Sequence, residues 1–260
     1  MTLQVMARCA ALAAWSSAVL RQEVGVEQAI DALHANRCEP VVTTELAGPA
    51  VQHERFALSV GRWRSVGVSG WRYVPVAPAD SQGVPGPPDF RARAVDVGAA
   101  LVSIDGPSVG LVAVPPATTN PDQPAPHFLL AEVATTSHGT APPESVSELD
   151  RALLTSLSEV VEGMEGLELA RWRDDVEDLL LHWGEPPHMP PGTSSRAQRL
   201  AARSERVLAL IELASDDEGG SRTAAEMSYR ASALRDLGRI SRAAHAAAWN
   251  AGVSDALAHG

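Results

Sequence analysis

Apolar positions recur at helical spacing over residues 3–22 and again over 26–35, where Val26, Ala29, Ile30 and Leu33 follow Gly25, and they predict two helices. From residue 40 to 133 the pattern changes to short Val-rich runs separated by Pro and Gly. Val41–Leu46, Trp71–Val76, Gly110–Val114 and Phe128–Val133 are candidate strands, with Leu101–Ile104 a fifth. Phe56–Ser65 reads as a helix, and so does Phe90–Ala100, with Asp89 as its N-cap. A strand, helix, strand order over 71–104 would form a βαβ unit and make part of the sheet parallel.

Beyond residue 144 the pattern is helical throughout. Ser145-x-x-Glu148, Ser195-x-x-Gln198 and Thr223-x-x-Glu226 match the capping box, in which a hydroxyl and a later side chain satisfy backbone donors that a helix start leaves open. Leu149, Leu153, Leu157, Val160 and Met164 form one apolar stripe, and Trp172, Val176, Leu179, Leu180 and Trp183 a second. Leu200, Val207 and Ile211 are expected to face inward on the next helix, and Met227, Ala231, Leu234 and Ala244 on the last. Proline clusters at 115–126, 142–143 and 186–191 punctuate the chain. The expected fold is α+β, or mixed α/β: a small mixed sheet with flanking helices over residues 1–140, then an antiparallel helical bundle over 144–256, the two able to share one core.

Composition narrows the chemistry. The 260 residues are 45% hydrophobic and carry a formal charge of -11, and all 21 basic residues are arginine. Without lysine there is no Walker-A lysine, no PLP Schiff base and no Ser-x-x-Lys pair. Cys9 and Cys38 are too few for a four-thiolate metal site and too far apart in sequence for a C-x-x-C pair. Cys9, set among alanines, reads as a packed core residue. The negative charge and the scarcity of aromatics argue against a nucleic-acid partner. The apolar stretch Cys9–Leu20 is short for a membrane span and lacks a basic start, so a buried helix, a cytoplasmic location and no membrane partner are expected.

Charge is unevenly distributed. Residues 144–185 hold 3 Arg against 12 acids, whereas 186–249 hold 9 Arg against 7. Arg196, Arg199, Arg203 and Arg206 share one helix face, and Arg235, Arg239 and Arg242 repeat the spacing. Such guanidinium rows can grip an anionic ligand. Because the row flanks an apolar seam, pairing with the acidic edge carrying Asp175, Asp178 and His182 inside a bundle is the favoured reading.

The Asp80–Asp89 connection, with Gly83 and Gly86, stands where α/β proteins place ligands, although Pro85, Pro87 and Pro88 remove amide donors from it. His182, Glu185 and His188 are candidate zinc ligands by type, but Gly184, Pro186 and Pro187 interrupt them, and no metal or other cofactor is expected. Asp216-Asp-Glu-Gly-Gly220 reads as a solvated acidic loop. Gly67-Val-Ser-Gly70 falls one residue short of a nucleophile elbow, and His53, His127 and His138 are the candidate bases for it.

At the Gly83-Val-Pro-Gly-Pro87 turn, the Pro190-Pro-Gly192 turn and the Asp216–Gly220 loop with its Arg/Ala-rich final helix, the chain resembles a family of uncharacterised actinobacterial proteins over roughly residues 65–250. The complete replacement of lysine by arginine suits a high-GC genome of that kind. The resemblance implies no particular activity and assigns no residue a role. With no complete catalytic set, the residues favour an interaction or scaffold protein that uses helix faces, as a homodimer or with another protein. The alternative is an enzyme or binder of a small anionic ligand, with a pocket between the 80–89 loop and the Arg-rich helix 195–214.

Overall fold

The computed structural model describes residues 2–38, 41–44, 52–77, 84–114, 127–132, 145–166, 186–215 and 223–257. It is an α+β structure of two compact units. The first comprises Met1–Pro142, His188–Ser194 and Trp249–Gly260, and the second Pro143–Pro187 and Ser195–Ala248.

In the first unit, α1 (Thr2–Leu20) and α2 (Val26–Ala35) precede β1 (Val41–Thr44), β2 (Gln52–Arg55), α3 (Phe56–Ser65), β3 (Gly70–Pro75), α4 (Pro88–Val97), β4 (Ala99–Ile104), β5 (Val109–Val114) and β6 (His127–Glu132). The six strands form one sheet in the order β2-β1-β6-β5-β4-β3. It is mixed: β1 pairs parallel with β6, and every other neighbour is antiparallel.

Two expectations change here. Tyr73 lies opposite Leu101 in an antiparallel β3/β4 pair, so the strand-helix-strand order over 71–104 is not a βαβ crossover. The parallel pair is instead β1/β6. Asp89 is also not the cap of α4. Pro88 and Asp89 stand in its first turn, and the N-cap is Pro87, without a side-chain bond. Pro88 fits the first helical position because its fixed φ is already helical and its missing N–H has no partner to lose. Gly98, at φ 82, then ends α4 in a left-handed step, so Ala99 and Ala100 belong to β4.

The core of this unit is built around α1, where Cys9, Ala10, Ala11, Leu12, Ser16, Ser17 and Ala18 all have no exposed surface. Small side chains on all sides let a helix be buried all round, which an amphipathic sequence would not permit. Among the described residues α1 is the one helix long and apolar enough to cross a membrane, and most of its surface is covered by protein. Trp63 of α3 packs edge-to-face on Trp71 of β3, ring centroids 4.9 Å apart, and Phe56 packs edge-to-face on Trp63 at 6.4 Å. Each such pair contributes about 1 kcal/mol beyond its buried area. Leu33, Leu101 and Leu111 complete the interior.

The second unit contains α5 (Val146–Gly166), α6 (Ser195–Ser215) and α7 (Ala224–Leu257), the last continuing into the first unit from Trp249. Two predicted capping boxes form with both arms. Glu148 accepts the Ser145 N–H while Ser145 Oγ accepts that of Glu148, each at 3.2 Å, and Thr223 and Glu226 repeat the exchange at 3.2 and 3.0 Å. The third start is displaced by one residue, since α6 begins at Ser195 and leaves Ser194 in the capping position.

Leu149 and Leu153 are buried and Leu157 and Val160 half-buried, as the stripe requires. Leu200 and Val207 are buried too, beside Ala197, Ala201, Ser204 and Leu208. On α7 the inward face begins later than expected: Met227 is 48% exposed and Ala231 exposed, whereas Leu237, Ser241, Ala244 and His245 are buried. Arg230 donates to Ala214 O near the end of α6, and His245 meets Glu205 further back, so α6 and α7 run antiparallel. The second apolar stripe, Trp172–Trp183, lies outside the described residues.

Candidate functional site

The arginine row is carried by the first three turns of α6, a helix whose buried side is filled by small and branched residues. Arg203 is half-buried and forms an ion pair with Asp150 of α5. Arg196, Arg199 and Arg206 are exposed, and none of the three has a carboxylate partner among the described residues. The expected acidic partners Asp175 and Asp178, with His182, lie outside those residues. The sequence offered one clue to Asp150, the acidic excess of its segment, but not its register against Arg203.

On the other flank of α6, Glu205 Oε1 stands 3.1 Å from Nε2 of the fully buried His245. Nothing in the sequence singled out this pair, because neither residue belongs to a recognisable motif. The Glu205 carboxylate orients an imidazole across two helices, a contact suited to fixing the α6/α7 register.

The exposed face of α5 is apolar in part. Leu154 is 46% and Val161 38% exposed, and a separation of seven residues puts them on the same side of the helix. Glu159 and Glu162 are exposed on the same helix. Near the end of α5, Gly163 leaves the space that the hydroxyl of Tyr229 of α7 occupies.

In the 80–89 connection, Asp80 and Gly83 lie outside the described residues. Val84 is buried, Gly86 adopts φ 131, and Asp89 is exposed in the first turn of α4. His182 and Glu185 likewise fall outside. His188 is exposed and held through its backbone: Asn36 Oδ1 accepts its N–H at 3.2 Å, while Asn36 Nδ2 and Trp15 Nε1 both donate to its carbonyl at 2.9 Å. Among the described residues no group of three His, Cys, Asp or Glu could hold a metal ion.

Among the described residues Ser69 has no histidine partner. Its hydroxyl donates to Asp105 Oδ2 at 2.6 Å, stitching two turns in which a Cβ on Gly106 would lie 2.7 Å from the Gly67 backbone. That close approach explains Gly106, and a left-handed φ of 87 explains Gly67, without any nucleophile elbow. Cys9 is fully buried, and burial, reinforced by Cys38, pushes its thiol well above the ordinary range. It is a packing residue, not a nucleophile.

Fold and site together define a two-unit α+β protein with a helical surface of exposed arginine and apolar side chains. Residues 9–128 match the family model of the Rv1486c-like protein, N-terminal domain, and residues 147–246 that of the Rv1486c-like protein, C-terminal domain. The chain belongs to this Rv1486c-like family of uncharacterised actinobacterial proteins. No curated protein and no solved structure matches it.

Proposed function

We propose that this is a cytoplasmic interaction or scaffold protein that assembles as a homodimer through helix faces of its second unit. The observation that carries this reading is the pair Leu154 and Val161, two large apolar side chains left partly exposed on one side of α5. Covering what remains exposed of each yields roughly 0.5–1.5 kcal/mol, less than half of what full burial of a branched apolar side chain gives. Beside them the charges are complementary, with exposed Glu159 and Glu162 on α5 and exposed Arg196, Arg199 and Arg206 on α6. In a two-fold dimer each such pairing occurs twice. Size-exclusion chromatography with light scattering tests it: a dimer at micromolar concentration that Leu154→Glu converts to a monomer supports the reading. A strict monomer over the same range sinks it.

Arg196, Arg199 and Arg206, exposed and without a carboxylate partner among the described residues, favour a second reading, binding of a small anionic ligand. A thermal-shift screen with nucleotides, sugar phosphates and divalent metals tests it. A ligand at 100 times its dissociation constant stabilises by about 2.7 kcal/mol. That gain must disappear in an Arg199→Gln/Arg206→Gln variant, since those side chains would hold the anion.

A further inference from the structure

Leu154 and Val161 belong to a longer seam on α5. Arg151, Leu154, Ser158 and Val161 are all exposed, and their spacing of three, four and three places them within about 80° of one helix face. Helices that pack along one another use this spacing. The direction of α6 beside the seam follows from three contacts. Asp150 meets Arg203 near the start of α5, the Tyr229 hydroxyl stands against Gly163 near its end, and Arg230, next to Tyr229, donates to the Ala214 carbonyl. Gly163 and Ala214 are therefore roughly level, as are Asp150 and Arg203 further back, so α5 and α6 advance in the same direction. Arg199 and Arg206, one turn to either side of Arg203, line the flank of the seam that Asp150 occupies. The exposed residues Glu148, Glu159 and Glu162 line the other flank.

A two-fold axis relates two such seams in one of two ways. If the helices run antiparallel, each flank meets its own copy, arginine against arginine and glutamate against glutamate. If they run parallel, each flank meets the opposite one. We infer that α5 pairs parallel and in register with α5 of a second copy of this chain, Leu154 and Val161 each against its own counterpart, the arginine flank of each chain on the glutamate flank of the other. The exception on each flank fits the same arrangement. Arg151 stands on the glutamate side of the seam and comes opposite Asp150 of the second copy, the acid on the arginine side. This geometry rests on the homodimer reading above and specifies it.

The test uses the full chain with its two buried cysteines kept, and the parent as control. Leu154→Cys and Val161→Cys are made separately and treated with oxidised glutathione. Two facing thiols lose their protons and close one disulfide, while the oxidised glutathione is reduced to two molecules of glutathione. Each variant alone is expected to form a covalent dimer, and the parent none. A chain that is dimeric by light scattering but cross-links only when the two variants are mixed has antiparallel helices, which overturns the inference and leaves the homodimer reading standing. A dimer that cross-links in no combination associates through another surface, and overturns it as well. A monomeric parent removes both. A second measurement needs no added cysteine: Arg206→Glu should raise the dimer dissociation constant about tenfold, and Glu159→Arg on the same chain should recover most of that loss. If the second substitution recovers nothing, the two flanks do not face each other and the inference falls.

Discussion

Arg203 of α6 forms its ion pair with Asp150 of α5, and this pair gives the arginine row an internal anchor. The side chains keep 36% and 27% of their exposure, so water screens much of the attraction. Asp150→Asn or Arg203→Gln should each lower stability by about 0.5–1 kcal/mol, with a coupling energy of at most ~1 kcal/mol in the double-mutant cycle. Urea denaturation of the four proteins measures it, and a coupling of zero would remove the pair as an orienting contact.

Gly106 is predicted to be intolerant. It sits at φ 64, and a Cβ there would lie 2.7 and 2.9 Å from backbone atoms of Gly67. Backbone cannot swing aside as a side-chain tip can. Gly106→Ala should therefore cost about 2–4 kcal/mol, read as a fall in the unfolding midpoint.

Gly163 makes the opposite case. A methyl group there would strike the Tyr229 hydroxyl, but that side chain is 42% exposed and can rotate away. Alanine is favoured over glycine in a helix by about 0.8–1 kcal/mol, which offsets the displacement. Gly163→Ala alone should be close to neutral, while in a Tyr229→Ala background it should gain close to the full ~1 kcal/mol. Equal effects in the two backgrounds would mean that Tyr229 does not occupy this space.

The start of α5 should loosen in acid. The Ser145 hydroxyl and backbone N–H, both bonding Glu148, hold its carboxyl below the ordinary glutamate range. Because the folded pKa is depressed, the stabilisation is present above the unfolded value and is lost as pH falls through the folded one. Amide exchange at residues 146–149 should accelerate over that descent, and Ser145→Ala should abolish most of the dependence.

Both cysteines are buried, and neither is in a disulfide. Burial disfavours the Cys9 thiolate, so a thiol reagent at pH 8 should leave this thiol unmodified in the native protein and label it in urea. Rapid labelling of Cys9 without denaturant would contradict its packing inside α1.

Strongly periodic segments were legible: Leu149 and Leu153, or Leu200 and Val207, repeat on one helix face and are buried there. The strand β2 escaped notice because Gln52-His-Glu-Arg55 has no branched or aromatic residue, and its pairing with β1 makes it a strand. The β3/β4 direction was likewise invisible, since helix α4 between two strands suits either a crossover or an antiparallel return. Met227 and Ala231 carry helical periodicity without being covered. At the candidate site, the row of arginines was legible as a row, but its partner Asp150 is set by tertiary register. The asparagine contacts to His188 and Tyr73 span 152 and 177 residues, beyond the reach of any local pattern.

The first unit takes in residues from Trp249 onward as well as the sheet. A chain emerging from the ribosome therefore displays strand β3 long before Asn250 exists to meet it. Ser17 can meet Trp71 as soon as the strand is made, whereas the Tyr73 backbone groups wait for the last helix of the chain to be synthesised.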